Sequence, residues 1–439
     1  MIILDTALRA RAEADNPVRF GMYGAGFMGR GLANQVLNYM PGMNLAVICN
    51  RNVEAAVAAY ADFGVTRDRI VEVKTAGALE EATAAGKFAV TCDPEVACAA
   101  PSIEALVEAT GHVEYGARVT SLAIAHSKPM ILMNAELDGT VGPVLKEKAN
   151  RAGVILTGCD GDQPGVQINL LRFVESIGLI PRVCGNIKGL QDRYRNPTTQ
   201  AGFAKQWGQT PHMVTSFADG TKISFEQAIV ANATGMKVAK RGMIGIEHRG
   251  HVDEMVGMYD IDRLRELGGI VEYVVGALPS PGVYVFAEAH EKTQRHYLDY
   301  GKLGKGPLYS FYVPYHLTIF EVPLSVARVV LFGDTVIASK GGPVVDVVTT
   351  AKIDLAAGAS LDGLGWYMTY GQCENYETVR AEKLLPMGIA EGARLKRAVH
   401  KDQVLTYDDV DLPENSVACR LRAEQDARFP VAAPGPIAG

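Results

Sequence analysis

The stretch Val18 to Gly29, reading VRFGMYGAGFMG, constrains what this chain can fold into more than any other. An apolar run from Val18 to Tyr23 has the character of a buried strand and passes straight into Gly24-Ala25-Gly26-Phe27-Met28-Gly29. Apolar residues then recur at helical spacing to about Met40. Strand, tight turn and helix in that order can cradle a pyrophosphate. Gly24 allows the sharp turn, Gly26 lets the backbone approach the phosphates, and Gly29 lets the helix pack on its strand with its N-terminus facing the anion. Gly24, Gly26, Phe27, Met28 and Gly29 are therefore candidate cofactor-binding positions, with a plain strand-to-helix turn as the competing reading.

Asn44 to Cys49 reads as a second parallel strand, ending at Asn50-Arg51-Asn52. A site that prefers NAD carries an Asp or Glu at this strand end for the ribose hydroxyls. None is present. Asn50 and Arg51 suit a 2′-phosphate instead, the guanidinium supplying two hydrogen bonds, so NADP is expected and NAD is the lesser alternative. A solvated arginine at a loop tip remains open. Further short apolar runs at Phe88 to Thr91, Ala105 to Thr110, Met130 to Met133 and Val154 to Thr157 alternate with helix patterns at Ala55 to Phe63 and Tyr115 to His126. That alternation predicts an α/β fold, a doubly wound parallel Rossmann sheet. Thr110, Gly111, Asn134, Ala135 and Glu136 fall at strand ends, where such sheets bind ligand.

Composition narrows the partners. The net charge is −6 and no Lys/Arg-dense run occurs, which argues against nucleic acid or an anionic membrane surface. No apolar run reaches the roughly 18 residues of a membrane span, and the N-terminus lacks a signal-peptide core, so a cytoplasmic location is expected. Seven scattered cysteines without a CxxC pair fit buried reduced thiols.

The turn Gly158-Cys-Asp-Gly-Asp-Gln-Pro-Gly165 closes the first unit. Asp160 and Asp162, one residue apart, are candidates to ligate a divalent cation such as Mg or Mn or to position a proton; as turn formers they would look the same. Beyond Val166, a helix pattern to Ile177 and a strand at Arg182 to Lys188 open a second, α+β, catalytic and dimerisation domain. The polar segment Gly189 to Thr199 follows. Lys188, Asp192, Arg193 and Arg195 resemble the lining for an anionic small-molecule substrate, a phosphate or carboxylate, with a solvated charge cluster as the plain alternative. Lys240, beyond the helix pattern Ser224 to Met236, adds a further cation. His248 and His251 read as loop histidines. Strands are expected at Ile270 to Val275 and Gly282 to Ala287, and the aromatic-rich Tyr309 to His316 is expected to lead into a buried helix, Leu317 to Val330. A faint internal echo, Lys352 to Leu361 against Lys396 to Leu405, suggests a small β module of two similar hairpins.

With these residues in place, the chain resembles the homoserine-dehydrogenase-like NAD(P)-dependent oxidoreductases that carry a C-terminal SAF (β-clip) domain, and within them the deoxyxylulose-phosphate reductoisomerase-like proteins. GMYGAGFMGRGLA, CDGDQPGVQINLLRFVESIG with CGNIKG, and LLPMGIAEGARLKRAVHKDQVLTYDDV carry the likeness. It implies a Rossmann domain over 1–160, a substrate-binding domain over 161–335 and a SAF-like β-clip over 336–425, while the residues themselves, ending in AAPGPIAG, suggest a disordered tail over 426–439. It also implies NADPH-dependent reduction of a small phosphorylated or acidic carbonyl compound, of the kind found in isoprenoid biosynthesis, by a homodimer or higher homo-oligomer. Lys188, Asp160, Asp162, Asp192 and Glu136 are the candidate catalytic residues, and Arg193, Arg195 and Lys240 the substrate contacts. One departure stands out: Asn134 is followed by Ala135 and Glu136, where homoserine dehydrogenases have a lysine. The alternatives are a homoserine-dehydrogenase-like hydroxy-acid dehydrogenase and a non-catalytic protein that senses NADP or binds a sugar acid.

Overall fold

Residues that are apolar on both sides of a strand need cover on both faces of the sheet, and the first part of the chain is built that way. The computed structural model describes residues 2–431. Strands β1 (Val18–Tyr23), β2 (Met43–Cys49), β3 (Ile70–Glu72), β4 (Phe88–Thr91), β5 (Ala105–Glu108), β6 (Met130–Leu132) and β7 (Leu156–Gly158) form one sheet in the order β3-β4-β2-β1-β5-β6-β7. Every pairing in it is parallel. The chain works outward from β1 through β2 and then returns to β5 on the other side. The carboxyl end of β1 is thus the point where the winding reverses and where such sheets take ligands. The doubly wound Rossmann architecture expected from the sequence is present.

Two compact units make up the chain: Met1–Leu137, Leu145–Val166 and His316–Ala338 in the first, and Asp138–Val144, Gln167–Tyr315 and Ser339–Gly439 in the second. The helix Thr318–Phe332 lies inside the stretch expected to be the second domain, yet it joins the first. Its Val322, Val326, Ala327 and Val329 share a core with Leu32 and Val36 of the helix Phe27–Tyr39. Gly31 permits that approach, since a Cβ there would stand 2.7 Å from Ile319 Cδ1.

The second unit has a mixed sheet of β8 (Ile180–Lys188), β9 (Ile246–Glu247), β10 (Ile270–Val275), β11 (Gly282–Glu288) and β12 (Leu308–Val313), ordered β12-β11-β8-β10-β9. Strand β10 runs parallel to β8 and β9, while β11 runs antiparallel to β8 and β12. Strand β12 occupies the aromatic-rich segment, where no strand was expected. Alternation along β8 turns Val183 and Ile187 into an apolar core with Val274, Tyr284 and Phe286. It turns Asn186 to the opposite face, against the helix Thr221–Thr234.

Past Ser339, β13 (Val345–Ala351) and β14 (Thr369–Asn375) form an antiparallel pair, as do β15 (Arg394–Leu395) and β16 (Val410–Asp411). The two echoing segments do not make separate hairpins. They pair with each other, Leu355 N donating to Val399 O at 2.8 Å and Val399 N to Leu355 O at 2.9 Å. A terminal helix, Val417–Arg428, continues through Asp426, the residue at which the disordered tail was expected to begin. Buried Arg422 ties it to β13 by pairing with Asp346 at 2.5 Å, and pairs within the helix with Asp426 at 3.0 Å. The remainder of that expected tail, 432–439, lies outside the described residues. From the same helix Gln425 repairs a break made by Pro143 in the helix Ala135–Arg151. Its amide accepts from Val144 N and donates to Thr140 O, both at 3.2 Å, standing in for the missing helical hydrogen bond.

No helix among the described residues is long and apolar enough to cross a membrane.

Candidate functional site

The glycine turn has the geometry its spacing predicts. Gly24 sits at φ +102°, and a Cβ on it would meet Ala109 O at 2.8 Å; a Cβ on Gly29 would meet Gly24 O at 2.5 Å. These two glycines are demanded by the chain itself. Gly26 differs, because a Cβ there would have nothing within 4 Å, so its bareness leaves room for something arriving from outside. It is the N-cap of the helix Phe27–Tyr39 and gives no side-chain cap. The positive end of that helix dipole therefore faces open space next to an exposed Phe27 and a half-buried Met28.

Asn50, at the end of β2, does not reach outward as expected. Its Oδ1 accepts from Ala25 N at 3.2 Å and its Nδ2 donates to Asn52 O at 2.7 Å, which braces the glycine turn. Arg51 is exposed and has no ion pair among the described residues.

At the ends of β5 and β6 the structure reveals a residue that the sequence reading passed over. Glu108 is fully buried, and its Oε1 accepts from Thr110 N at 2.9 Å and from the Thr110 hydroxyl. Its Oε2 is buried with no hydrogen-bond partner. Burial pushes this carboxyl up to about 7; Thr110 and the Asn134 amide pull against that, and Glu136 adds to it. Asn134 caps the helix Ala135–Arg151, accepting from Leu137 N at 3.0 Å and donating to His112 O at 3.3 Å. Thr110, Gly111, Asn134, Ala135 and Glu136 are thus gathered at neighbouring strand ends, next to the glycine turn. The one polar letter in Ala105-Leu-Val-Glu-Ala109 was the signal available in the sequence, since a carboxylate inside an apolar strand needs a reason.

Asp160 has a different role from the one expected. It is fully buried; Oδ1 accepts from Arg328 Nη1 at 2.6 Å, Oδ2 from Ser325 Oγ at 2.9 Å, and its own N–H donates to Ser325 Oγ at 2.7 Å. Arg328 also grips Asp334 through Nε and Nη2. The carboxylate is a brace that fastens the helix Thr318–Phe332 to the end of β7. Asp162 is half-buried in the same turn, and its main-chain oxygen accepts from Val166 N at 3.0 Å. Among the described residues no group of three or more His, Cys, Asp or Glu is placed to hold a metal ion.

In the second unit, Lys188 ends β8, half-buried, and its main-chain oxygen accepts from Gly276 N at 2.8 Å. Two residues back on the same face, Asn186 anchors a buried polar layer. Its Oδ1 takes the amides of Gln167 and Gln227, and its Nδ2 donates to Glu226 Oε2 at 3.0 Å, with Lys222 Nζ 3.8 Å from the other carboxylate oxygen. This layer too was missed, although Asn186 interrupts an apolar strand as Glu108 does. Asp192 turns inward to its own loop, accepting from Tyr194 N at 3.1 Å and Arg195 Nε at 3.0 Å. It orients Arg195. Arg193 lies over the Tyr370 ring, 5.6 Å from its centroid. Lys240 is exposed, and its charge favours ionisation of buried Glu272.

Against this geometry, residues 161–322 match the family model described as "Oxidoreductase DRL, catalytic domain". The matched segment holds β8, the polar layer, Lys188, Asp192, Arg193, Arg195 and Lys240. A search of curated proteins found no match. Among solved structures, a myo-inositol dehydrogenase from Corynebacterium glutamicum is similar at 12% identity, over 73% of this chain and 90% of that one, with a TM-score of 0.40. A scyllo-inositol dehydrogenase from Lactobacillus casei, solved with NAD(H) and scyllo-inositol, is 12% identical over 68% of this chain and 76% of that one, with a TM-score of 0.36. A Rossmann sheet with an open glycine turn is thus joined in one chain to a segment similar to an oxidoreductase catalytic domain.

Proposed function

We propose that this chain is an NADP(H)-dependent oxidoreductase acting on a small phosphorylated or acidic carbonyl or hydroxy compound. The observation that carries the reading is the bare Gly26 in front of a helix N-terminus, at the strand end where the sheet's winding reverses. The residues fit a dinucleotide: Gly24, Gly26, Phe27, Met28 and Gly29 would hold the pyrophosphate, Arg51 the 2′-phosphate, and Thr110, Gly111, Asn134 and Ala135 the nicotinamide end. When bound, the cofactor supplies the hydride. The oxidoreductase family model supports the reaction class. The preference for NADP rests on Arg51 and on the absence of a carboxylate at Asn50-Arg51-Asn52.

The chain's own contribution would come from Lys188 and the arginines. A lysine ammonium at a strand end can stabilise the oxygen on which negative charge develops, while Arg193 and Arg195 attract an anionic group. Glu136, buried beside Asn134, would orient the nicotinamide end. A carbon-skeleton rearrangement of the deoxyxylulose-phosphate reductoisomerase kind, a SAF-like role for residues 336–425 and assembly as a homo-oligomer belong to the same proposal. Support for them comes from the sequence resemblance.

The test is NADPH oxidation with a panel of phosphorylated keto sugars, for the parent and for Lys188→Met. Turnover is expected to fall by about 10²-fold or more, the scale of one lost oxyanion donor, while NADPH affinity and Tm hold. Activity within a few-fold of the parent would remove Lys188 from the mechanism. Tight NADPH binding with no turnover on any anionic substrate would favour a cofactor-sensing protein instead.

A further inference from the structure

The polar group least accounted for in the first unit is the Glu108 carboxyl. It stands on β5, the strand beside β1, in register with Tyr23 on one side and Leu132 on the other. One oxygen holds the Thr110 main chain and hydroxyl, so it sets the Thr110–Gly111 turn, where Gly111 has φ +70°. The other oxygen is buried, and the carboxyl group lies close to the helix after β5. A Cβ on Gly116 would come within 3.0 Å of Asn134 Nδ2 and 3.3 Å of Glu108 Cδ. The loop after β5 and the loop after β6 are therefore packed on one carboxyl group. Because Oε2 is buried, this group cannot touch a bound dinucleotide and must act through Thr110 and Asn134.

We propose that Glu108 is a positioning residue of the dinucleotide site, holding the Thr110–Gly111 turn and Asn134 in their cofactor-binding arrangement while its carboxyl carries a proton. This rests on the reading of the strand ends as a dinucleotide site. Burial penalises the ionised carboxyl, whose Oε2 has no well-formed hydrogen bond, and beyond Thr110 the side chain that supports the charge is the Asn134 amide, which also donates to His112 O. The ionisable neighbours are Glu136 on the helix after β6, Tyr115 on the helix after β5, and Tyr23 on the adjoining strand. Cys49 and Arg118 stand behind Tyr115. Burial favours the proton on Glu108 near neutral pH, and Glu136 reinforces it.

Glutamine keeps the acceptor for Thr110 and mimics the neutral acid, so it separates charge from shape. NADPH and NADH dissociation constants, read by nicotinamide fluorescence from about pH 6 to about pH 8.5, would be compared for the parent, Glu108→Gln and Glu108→Ala, with Tm recorded for each. The parent is expected to lose about tenfold in affinity across that range as the carboxyl ionises. Glu108→Gln should bind like the low-pH parent and show a flat profile, and Glu108→Ala should bind about tenfold or more weakly at every pH. Parallel profiles for parent and Glu108→Gln would overturn the inference alone, as would Glu108→Ala binding like the parent. If the folded parent binds neither nucleotide at any pH, the dinucleotide reading fails and takes the inference with it.

Discussion

Replacing Arg328 with methionine separates the structural account of Asp160 from the catalytic one. Asp160 is fully buried and Arg328 nearly so, and the pair is closed at 2.6 Å with Ser325 Oγ as a further donor. Methionine fills much of the arginine's volume but takes the guanidinium away from a buried carboxylate. Breaking one side of a buried ion pair costs about 3–5 kcal/mol, a large part of the roughly 5–15 kcal/mol that holds a domain together. Asp160→Asn should cost less, about 1.5–3 kcal/mol, because Arg328 keeps Asp334 and the amide keeps one acceptor. Arg328→Met combined with Asp160→Leu should recover part of the loss, since no charge is then stranded. Both tryptophans, Trp207 and Trp366, belong to the second unit, so indole emission reports the wrong part of the chain. Urea titration followed by amide exchange at Val18–Tyr23 reports the right one. A loss under about 1 kcal/mol for Arg328→Met would refute the brace. So would an Asp160→Asn protein of parental stability that has lost its turnover, and it would return Asp160 to the chemistry.

The remaining expectations concern cofactor choice, the glycine turn and pH. Arg51→Ala should weaken NADPH binding by about 1.5–3 kcal/mol while leaving NADH nearly untouched, as measured by titration calorimetry; equal loss for both would dissociate Arg51 from the 2′-phosphate. Gly26→Ala should lower affinity for both nucleotides with little change in Tm, since its Cβ meets nothing in the folded chain. Gly29→Ala should lower Tm itself by forcing the helix off Gly24 O, and equal Tm effects for the two variants would contradict the assignment of one glycine to ligand and the other to packing. Glu272 in the second unit is pushed up to about 7 by burial, against donors Ile244 N at 2.7 Å, Gly245 N at 2.8 Å and Tyr273 N at 2.8 Å. Its folded pKa exceeds the unfolded 4.5, so the stability it contributes is full below about 4.5 and drains away as pH rises to about 7. The slope amounts to about 3 kcal/mol at most, and the Tm-against-pH curve of Glu272→Gln should lack it.

What could be read in the sequence was whatever depends on spacing along one element. The glycine turn, its flanking strand and helix, and the alternation behind a doubly wound sheet are local patterns, and each is present. Strand β12 was hidden because Tyr309-Ser-Phe-Tyr-Val313 pairs with β11, a partner that periodicity within the segment does not name. The faint echo between Lys352–Leu361 and Lys396–Leu405 was seen but misread. Similarity along the chain suggested two copies of one hairpin, whereas the structure pairs the copies with each other. The site shows the same limit in side-chain terms. Asp160 looked like a ligand because its turn is glycine-rich and its neighbour is Asp162; what settles its role is Arg328, 168 residues away. Asn50 looked free to reach a phosphate, and Ala25 N claims it. Conversely, Glu108 and Asn186 are each a single polar letter in an apolar strand, and neither matches a motif. A motif search weighs residues that look exposed and reactive, while the cost of burying an unpaired carboxyl or amide falls on residues that look out of place. In a chain like this, a polar interruption at the carboxyl end of a predicted parallel strand deserves the same weight as the glycines that announce the fold, because it must either be satisfied by its neighbours or be what arranges them around a ligand.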